Sequence, residues 1–269
     1  MRSTAQTAIL LFAVAMFGIG ALLQIAQQAS EPVQPELSVI YQDINSPEDI
    51  RSLESDRVAA IAYTRVISLQ ALPVQAKKDK FIAMMLPAIL IGKQRLQQTR
   101  QQIELLLQKT TLSDTEQAWL DQYMARYRAD TPEQLPAKMI DMPNSIVLSQ
   151  AAIETGWGTS RFFLEGNNIF GVWSVDAREP RIRASESRNG KAIYVKKYDS
   201  LLGAVDDYFM TLGRGGPYRS LRAARSNTDN PLQLIQHLGS YSELGDTYIK
   251  RLRNMIEYND LQRFDNYTL

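Results

Sequence analysis

Cysteine is absent from this chain of 269 residues, and histidine occurs once, as His237. The first absence excludes disulfides, thiolate metal sites and a cysteine nucleophile. The second excludes a His-rich metal site and leaves any serine–histidine pair a single candidate. Neither sign of charge dominates: 30 Lys and Arg stand against 29 Asp and Glu, a formal net charge of +1. A dedicated nucleic-acid binder shows a basic excess, so no nucleic-acid partner is expected. Chemistry must rest mainly on carboxylates, hydroxyls, amides, Lys, Arg and Tyr. What is present suffices for a core: 45% of residues are apolar and 22% charged, which excludes disorder throughout.

Residues 8–23, AILLFAVAMFGIGALL, carry no polar side chain; Arg2 precedes them, and Glu31 and Glu36 are the first charges after them. Positive before and acidic after fits a segment inserted with its amino end in the cytoplasm. Its length falls between a cleaved signal and a spanning helix, and no A-x-A cleavage site follows. Residues 1–30 therefore read as an N-terminal signal anchor, with a cleaved signal as the alternative. Residues 31–46, with Pro32 and Pro35, read as a linker. Residues 47–135 read as a helical region opening at Ser46-Pro47-Glu48-Asp49 and broken or kinked at Pro73 and Pro87. Within it, FIAMMLPAILI (81–91) is apolar all round, as a buried helix-turn segment would be, and Ser113-x-x-Glu116 is a capping box. Nothing in this half converges on chemistry.

Residues 136–269 carry the chemical signal. Asp141-Met142-Pro143-Asn144 predicts a helix start with Asp141 as N-cap, leading into SIVLSQAAIETGW. Ile146, Gln150, Ile153 and Trp157 make one helical row, and Val147, Ala151 and Glu154 the next. Glu154 thus flanks an apolar stripe, with Trp157 three residues on. A carboxyl set against apolar and aromatic surface resists ionisation, and a glutamate still protonated near neutral pH can protonate a leaving-group oxygen. The competing reading is a half-exposed rim glutamate paired with Arg161. Downstream, RIRASESRNGKAIYVKKY holds Asn189-Gly190, a strong signal for a two-residue hairpin. Such a loop sets Arg188 opposite Lys191, Glu186 opposite Ile193 and Ala184 opposite Val195, with Glu186 on the more apolar face. Residues 176–197 hold seven Lys and Arg against three acids, which suits either an acidic polymer or solvated strand edges.

Residues 150–172, QAAIETGWGTSRFFLEGNNIFGV, resemble the signature of bacterial peptidoglycan glucosaminidases, glycoside hydrolase family 73. The match runs through Ala151, Glu154, Thr155, Gly156, Trp157, Gly158 and Ser160, then Asn168-Ile169-Phe170-Gly171. It continues in Lys197-Tyr198-Asp199-Ser200 with Ala204 and Tyr208, in Gly239-Ser240-Tyr241, and in Asp246 to Leu252, covering about residues 136–262. The upstream helices resemble, more weakly, the region preceding this domain in the Bax-type branch. The resemblance implies an α+β, mostly helical, lysozyme-like domain with a small β-hairpin. It implies cleavage of the β-1,4 bond after N-acetylglucosamine in peptidoglycan glycan strands, with no metal or other cofactor. It implies catalytic roles for Glu154 as general acid, Glu186 as second carboxylate and Tyr241 at the cleft. Asp176, Glu179 and Glu243 are fallbacks for the second acid. Trp157, Asn168, Phe170 and Tyr248 are the expected substrate-binding residues; Trp157 is also read as a packing partner of Glu154, and Phe170 equally as core. Trp173 suits sugar stacking or packing, and His237 reads as structural.

Two other functions compete. A lytic transglycosylase also uses one glutamate but closes a sugar hydroxyl on the anomeric carbon. A non-catalytic peptidoglycan-binding module keeps the cleft without the chemistry. The expected location is the periplasmic side of the bacterial inner membrane.

Overall fold

The computed structural model describes residues 37–188 and 191–269, without the side chains of Glu186, Arg188 and Lys191. The expected anchor over residues 1–30 and the Asn189-Gly190 turn lie outside the described residues. Among the described residues no helix is long and apolar enough to cross a membrane.

The described chain starts in a sheet. Strand β1 (Ile40–Asp43) pairs in parallel with β2 (Ile61–Arg65), Ile40 facing Ile61. Residues 40–43 are therefore not linker, and the region after them is not uniformly helical. Ser46 and Asp49 do close a capping box, but the helix it opens is a single 3-10 turn, Pro47–Asp49.

Helix α1 (Val74–Leu106) then runs unbroken for 33 residues, about 50 Å at 1.5 Å per residue. Pro73 is its N-cap, where a missing N–H costs nothing, and Pro87 lies inside it. Of the break or kink expected at Pro87, the break does not occur. Every residue from Phe81 to Gly92 is buried, because other elements pack around this stretch on all sides. Burying so many large apolar side chains, at about 1.5–3 kcal/mol each, outweighs the roughly 3 kcal/mol that an internal proline costs.

Helix α2 (Asp114–Tyr127) begins at the anticipated capping box: Ser113 accepts from the Glu116 N–H, and Glu116 accepts from the Ser113 N–H. The short α3 (Leu135–Lys138) leads to α4 (Asn144–Thr155) and α5 (Arg161–Gly166). An antiparallel hairpin, β3 (Arg181–Arg188) and β4 (Lys191–Lys196), follows. The chain ends in α6 (Leu201–Arg214), α7 (Arg219–Arg225), α8 (Pro231–Leu234), α9 (Asp246–Tyr258) and a final 3-10 turn, Leu261–Phe264.

Residues Val39–Leu269 form one compact unit, in which elements on either side of the expected 135/136 boundary pack together. α1 packs on both α4 and α6. Phe81 of α1 is fully buried against Trp157 and Phe163, with ring centroids 5.6 and 6.1 Å away. Asn167 donates to Thr64 O of β2 at 2.8 Å and to Tyr198 O at 2.9 Å. The C-terminal tail closes the unit, because Thr268 exchanges backbone hydrogen bonds with Val58 and Asp56.

Candidate active site

The site forms where α4 ends. α4 starts at Asn144 with Pro143 as N-cap, so Asp141 is not the cap. Asp141 instead pairs with Arg225 at 2.6 Å. The N–H of Ser145 is met by Asp265 Oδ1 at 2.7 Å, and the Ser145 hydroxyl donates to Asp265 Oδ2 at 2.9 Å. The exposed donors of a helix N-terminus need such a partner, and here the last residues of the chain supply it.

At the other end, Gly156 (φ 59°), Trp157 (φ 60°) and Gly158 (φ 82°) take left-handed backbone in succession. This stops the helix after Thr155, so Trp157 does not continue the row through Gln150 and Ile153. Its indole instead meets Phe81 edge-on, with the Lys78 ammonium 5.3 Å from its centroid. Gly158 allows the approach of α1: a Cβ there would stand 3.0 Å from Phe81 Cδ2.

Glu154 is half-buried, and Oε1 accepts a 3.1 Å hydrogen bond from the Tyr248 hydroxyl. Burial raises its carboxyl above the ordinary glutamate range, against the smaller opposing effect of Tyr248. Tyr248 itself accepts from Gln150 Nε2 at 3.1 Å, and Gln150 Oε1 accepts from the Tyr208 hydroxyl at 2.6 Å. Facing Oε2 is Gly171, at φ 65°, where a Cβ would lie 4.0 Å from the oxygen. A glycine tolerates that backbone and leaves the space beside the carboxyl open. Arg161 is engaged elsewhere, with Glu165 at 3.2 Å and Arg183 O at 2.8 Å, so the rim ion pair does not form.

Tyr241, at the end of the 3-10 turn Gly239–Tyr241, stacks on Tyr248 with centroids 5.6 Å apart and planes 8° apart. Its hydroxyl donates to Phe170 O at 3.4 Å. Burial, followed by the neighbouring tyrosines, raises that hydroxyl well above its ordinary value and keeps it protonated. Glu154, Tyr241 and Tyr248 are thus brought together.

The other expected substrate contacts are placed differently. Asn168 is buried, with its amide spent on the backbone: it donates to Val172 O and Lys196 O and accepts from Val172 N–H. It ties the Asn168–Val172 loop to β4. Phe170 is core, stacked on Tyr208 at 4.3 Å. Tyr248 is buried and reaches Glu154 rather than the surface. Trp173 bridges Val195 through its backbone and is 50% exposed, at the rim two residues beyond Gly171.

For the second carboxylate, the Glu186 side chain lies outside the described residues. The hairpin register is corrected near it. Arg188 does face Lys191, but the pairing shifts between Arg183 and Ser187, so Val195 faces Ile182 rather than Ala184. Of the fallbacks, Asp176 pairs with Arg178 at 2.7 Å and Glu179 with Lys196 at 3.7 Å, while Glu243 is exposed. His237 closes a half-buried 3-10 turn, Ile235–His237. Among the described residues no three His, Asp or Glu side chains gather as metal ligands do. The sequence did not point to Gln150 as a member of the hydrogen-bond chain that reaches Glu154. A buried amide inside an otherwise apolar helical row was the available signal.

Residues 134–261 match the family model described as glucosaminidase, mannosyl-glycoprotein endo-beta-N-acetylglucosaminidase. The peptidoglycan hydrolase FlgJ of Escherichia coli K12 is 32% identical over 139 residues, covering 47% of this chain and 43% of that protein. Protein bax of the same strain is 30% identical over 128 residues, covering 45% and 44%. The chain thus spans under half the length of these relatives. Among solved structures, a C-terminally truncated glycoside hydrolase domain of Salmonella typhimurium FlgJ aligns at 27% identity and a TM-score of 0.35, over 52% of this chain and 97% of that one.

Proposed function

Residues 134–261 are a glucosaminidase-family domain, and on that premise we propose that the chain is a peptidoglycan hydrolase that cleaves the β-1,4 bond after N-acetylglucosamine. One observation carries the reading. Glu154 is a half-buried carboxyl that burial favours in its protonated form, held by Tyr248 on one oxygen and open beside Gly171 on the other.

The step follows from that placement. Glu154 gives its proton to the glycosidic oxygen as the bond from that oxygen to the anomeric carbon breaks. Positive charge develops on the sugar and is quenched when water adds to the anomeric carbon and loses a proton. Net, one water is consumed. The group that supports the developing charge is Glu186, or the substrate acetamide assisted by Tyr241. The protonated Tyr241 hydroxyl beside the site suits the second arrangement. Trp173, half-exposed at the rim, offers a face for a neighbouring sugar. The polymer lies outside the cytoplasm, which fits residues 1–30 acting as an export signal or inner-membrane anchor.

Mass spectrometry of peptidoglycan digested by residues 31–269, beside a Glu154→Gln control, tests the assignment. Reducing-end N-acetylglucosamine products, absent from the control, are expected. Anhydro products would reassign the chain to the transglycosylases. Glycan binding without products from either protein would make it a binding module.

A further inference from the structure

We infer that Tyr208 and Gln150 are positioning residues that fix Tyr248 as a donor to Glu154 Oε1 and leave Oε2 as the oxygen carrying the transferable proton. The inference rests on Glu154 being the general acid, and it adds which oxygen acts and what sets that choice.

The argument is one of hydrogen-bond polarity. An amide oxygen only accepts and an amide nitrogen only donates. Gln150 Oε1 therefore accepts the hydrogen bond of the Tyr208 hydroxyl at 2.6 Å, and Gln150 Nε2 donates to the Tyr248 oxygen at 3.1 Å. Tyr248 has one proton left to place, and Glu154 Oε1 stands 3.1 Å away to receive it. An oxygen that already accepts there cannot aim its own proton along the same line. The acid's proton belongs on Oε2, the oxygen facing the space that Gly171 leaves open.

The chain runs through the core, where polarity is hard to reverse. Gln150, Tyr208 and Tyr248 are 0, 1 and 1% exposed, so water cannot substitute for a missing partner. Ring packing locks both phenols: Tyr208 stacks on Phe170 at 4.3 Å, and Tyr248 on Tyr241 at 5.6 Å. Among the described side chains, the titratable groups facing Glu154 are Tyr248 of α9 and Tyr241 of the preceding 3-10 turn. The 168–171 stretch contributes Phe170 and Gly171, and Arg161 is turned to Glu165.

The decisive substitution is Tyr208→Phe, at the far end of the chain from the acid. Without a donor on Oε1, the Gln150 amide is free to turn over and accept from Tyr248, drawing the Tyr248 proton off Glu154. The Tyr248 bond favours the ionised form of Glu154, so its loss moves the basic limb of the kcat/KM profile upward. The pH profile of the whole exported part, residues 31–269, is measured for the unmodified protein, Tyr208→Phe and Tyr248→Phe. Tyr248→Phe is expected to shift the limb by about one pH unit, and Tyr208→Phe by a large part of that in the same direction. The accompanying loss in kcat is on the order of tenfold, with KM little changed. A Tyr208→Phe profile that keeps its limb, at any amplitude, while Tyr248→Phe moves it would overturn the inference. If Tyr208→Phe does not fold, Gln150→Leu is read by the same limb, because it removes the amide that polarises Tyr248. Turnover by Glu154→Gln would instead sink the general-acid reading itself, and is scored separately.

Discussion

Removing the Phe81 ring should unfasten the end of α4 from the long upstream helix, and its cost follows from what the ring touches. Phe81 is fully buried, lies edge-on to Trp157 at 5.6 Å and leans on Phe163 at 6.1 Å. Truncating such a phenylalanine to alanine costs about 3–5 kcal/mol through lost burial and an unfilled cavity. For a cooperative unit of 150–250 residues each kcal/mol lowers Tm by about 2–4 °C, so Phe81→Ala should lower it by about 6–20 °C. Circular dichroism melting of residues 31–269 measures it, with the near-ultraviolet tryptophan signal as a second probe. The two probes should melt together, because Val39–Leu269 is one unit. Gly158→Ala adds an internal check. Its Cβ would press on Phe81 at 3.0 Å, on a backbone of φ 82°. In the Phe81→Ala background the contact part of that penalty disappears, so the two changes should cost less together than their sum. A Tm change under about 2 °C, or two separate transitions, would refute the claim that residues 39–135 belong to the same folding unit as α4. Residues 136–269 alone should then fold and turn over, which this account predicts they do not.

Other consequences are equally specific. Glu154→Gln should abolish turnover yet melt at or above the parent temperature at neutral pH. Glu154 has a raised pKa in the fold, so its ionisation weakens the fold as pH rises, and glutamine removes that cost. Asn168→Ala, which empties three buried hydrogen bonds, should destabilise by about 2–4 kcal/mol in thermal melts. Its residual activity should show no selective rise in KM, as a substrate contact would. Asp265→Ala should cost about 0.5–2 kcal/mol, the usual worth of a helix cap, by taking the acceptor from the start of α4.

Local signals in the sequence were read correctly where a residue's neighbours along the chain decide its conformation. The capping box at Ser113 and Glu116 opens α2, and the strands flanking Asn189-Gly190 pair as a hairpin that keeps Arg188 opposite Lys191. Glu154 lies at the end of a helix with its carboxyl half-buried, as the row pattern implied. The errors share a cause, which is tertiary contact overriding local preference. Pro87 does not break α1, because buried partners surround it. β1 and β2 were invisible because a parallel pair is made by distant segments, with only Ile40, Tyr41 and their partners to announce it. Periodicity carried Trp157 onto the helix, but two flanking glycines and the Phe81 ring draw it off. Asn168 looked like a sugar-binding amide because the sequence did not show that Val172 and Lys196 exhaust it. The Tyr208–Gln150–Tyr248 chain joins three separate helices, and only the packed structure aligns them.

The central claim is that Glu154 delivers the proton. The most direct measurement places two titrations of one protein side by side: the Glu154 carboxyl carbon, followed by 13C NMR in the free enzyme, and the basic limb of kcat/KM, which reports the free enzyme's essential acid. The account predicts that Glu154 titrates above the ordinary glutamate range and that the two midpoints coincide. A Glu154 that ionises in the ordinary range, while activity persists to much higher pH, would assign the proton to another group.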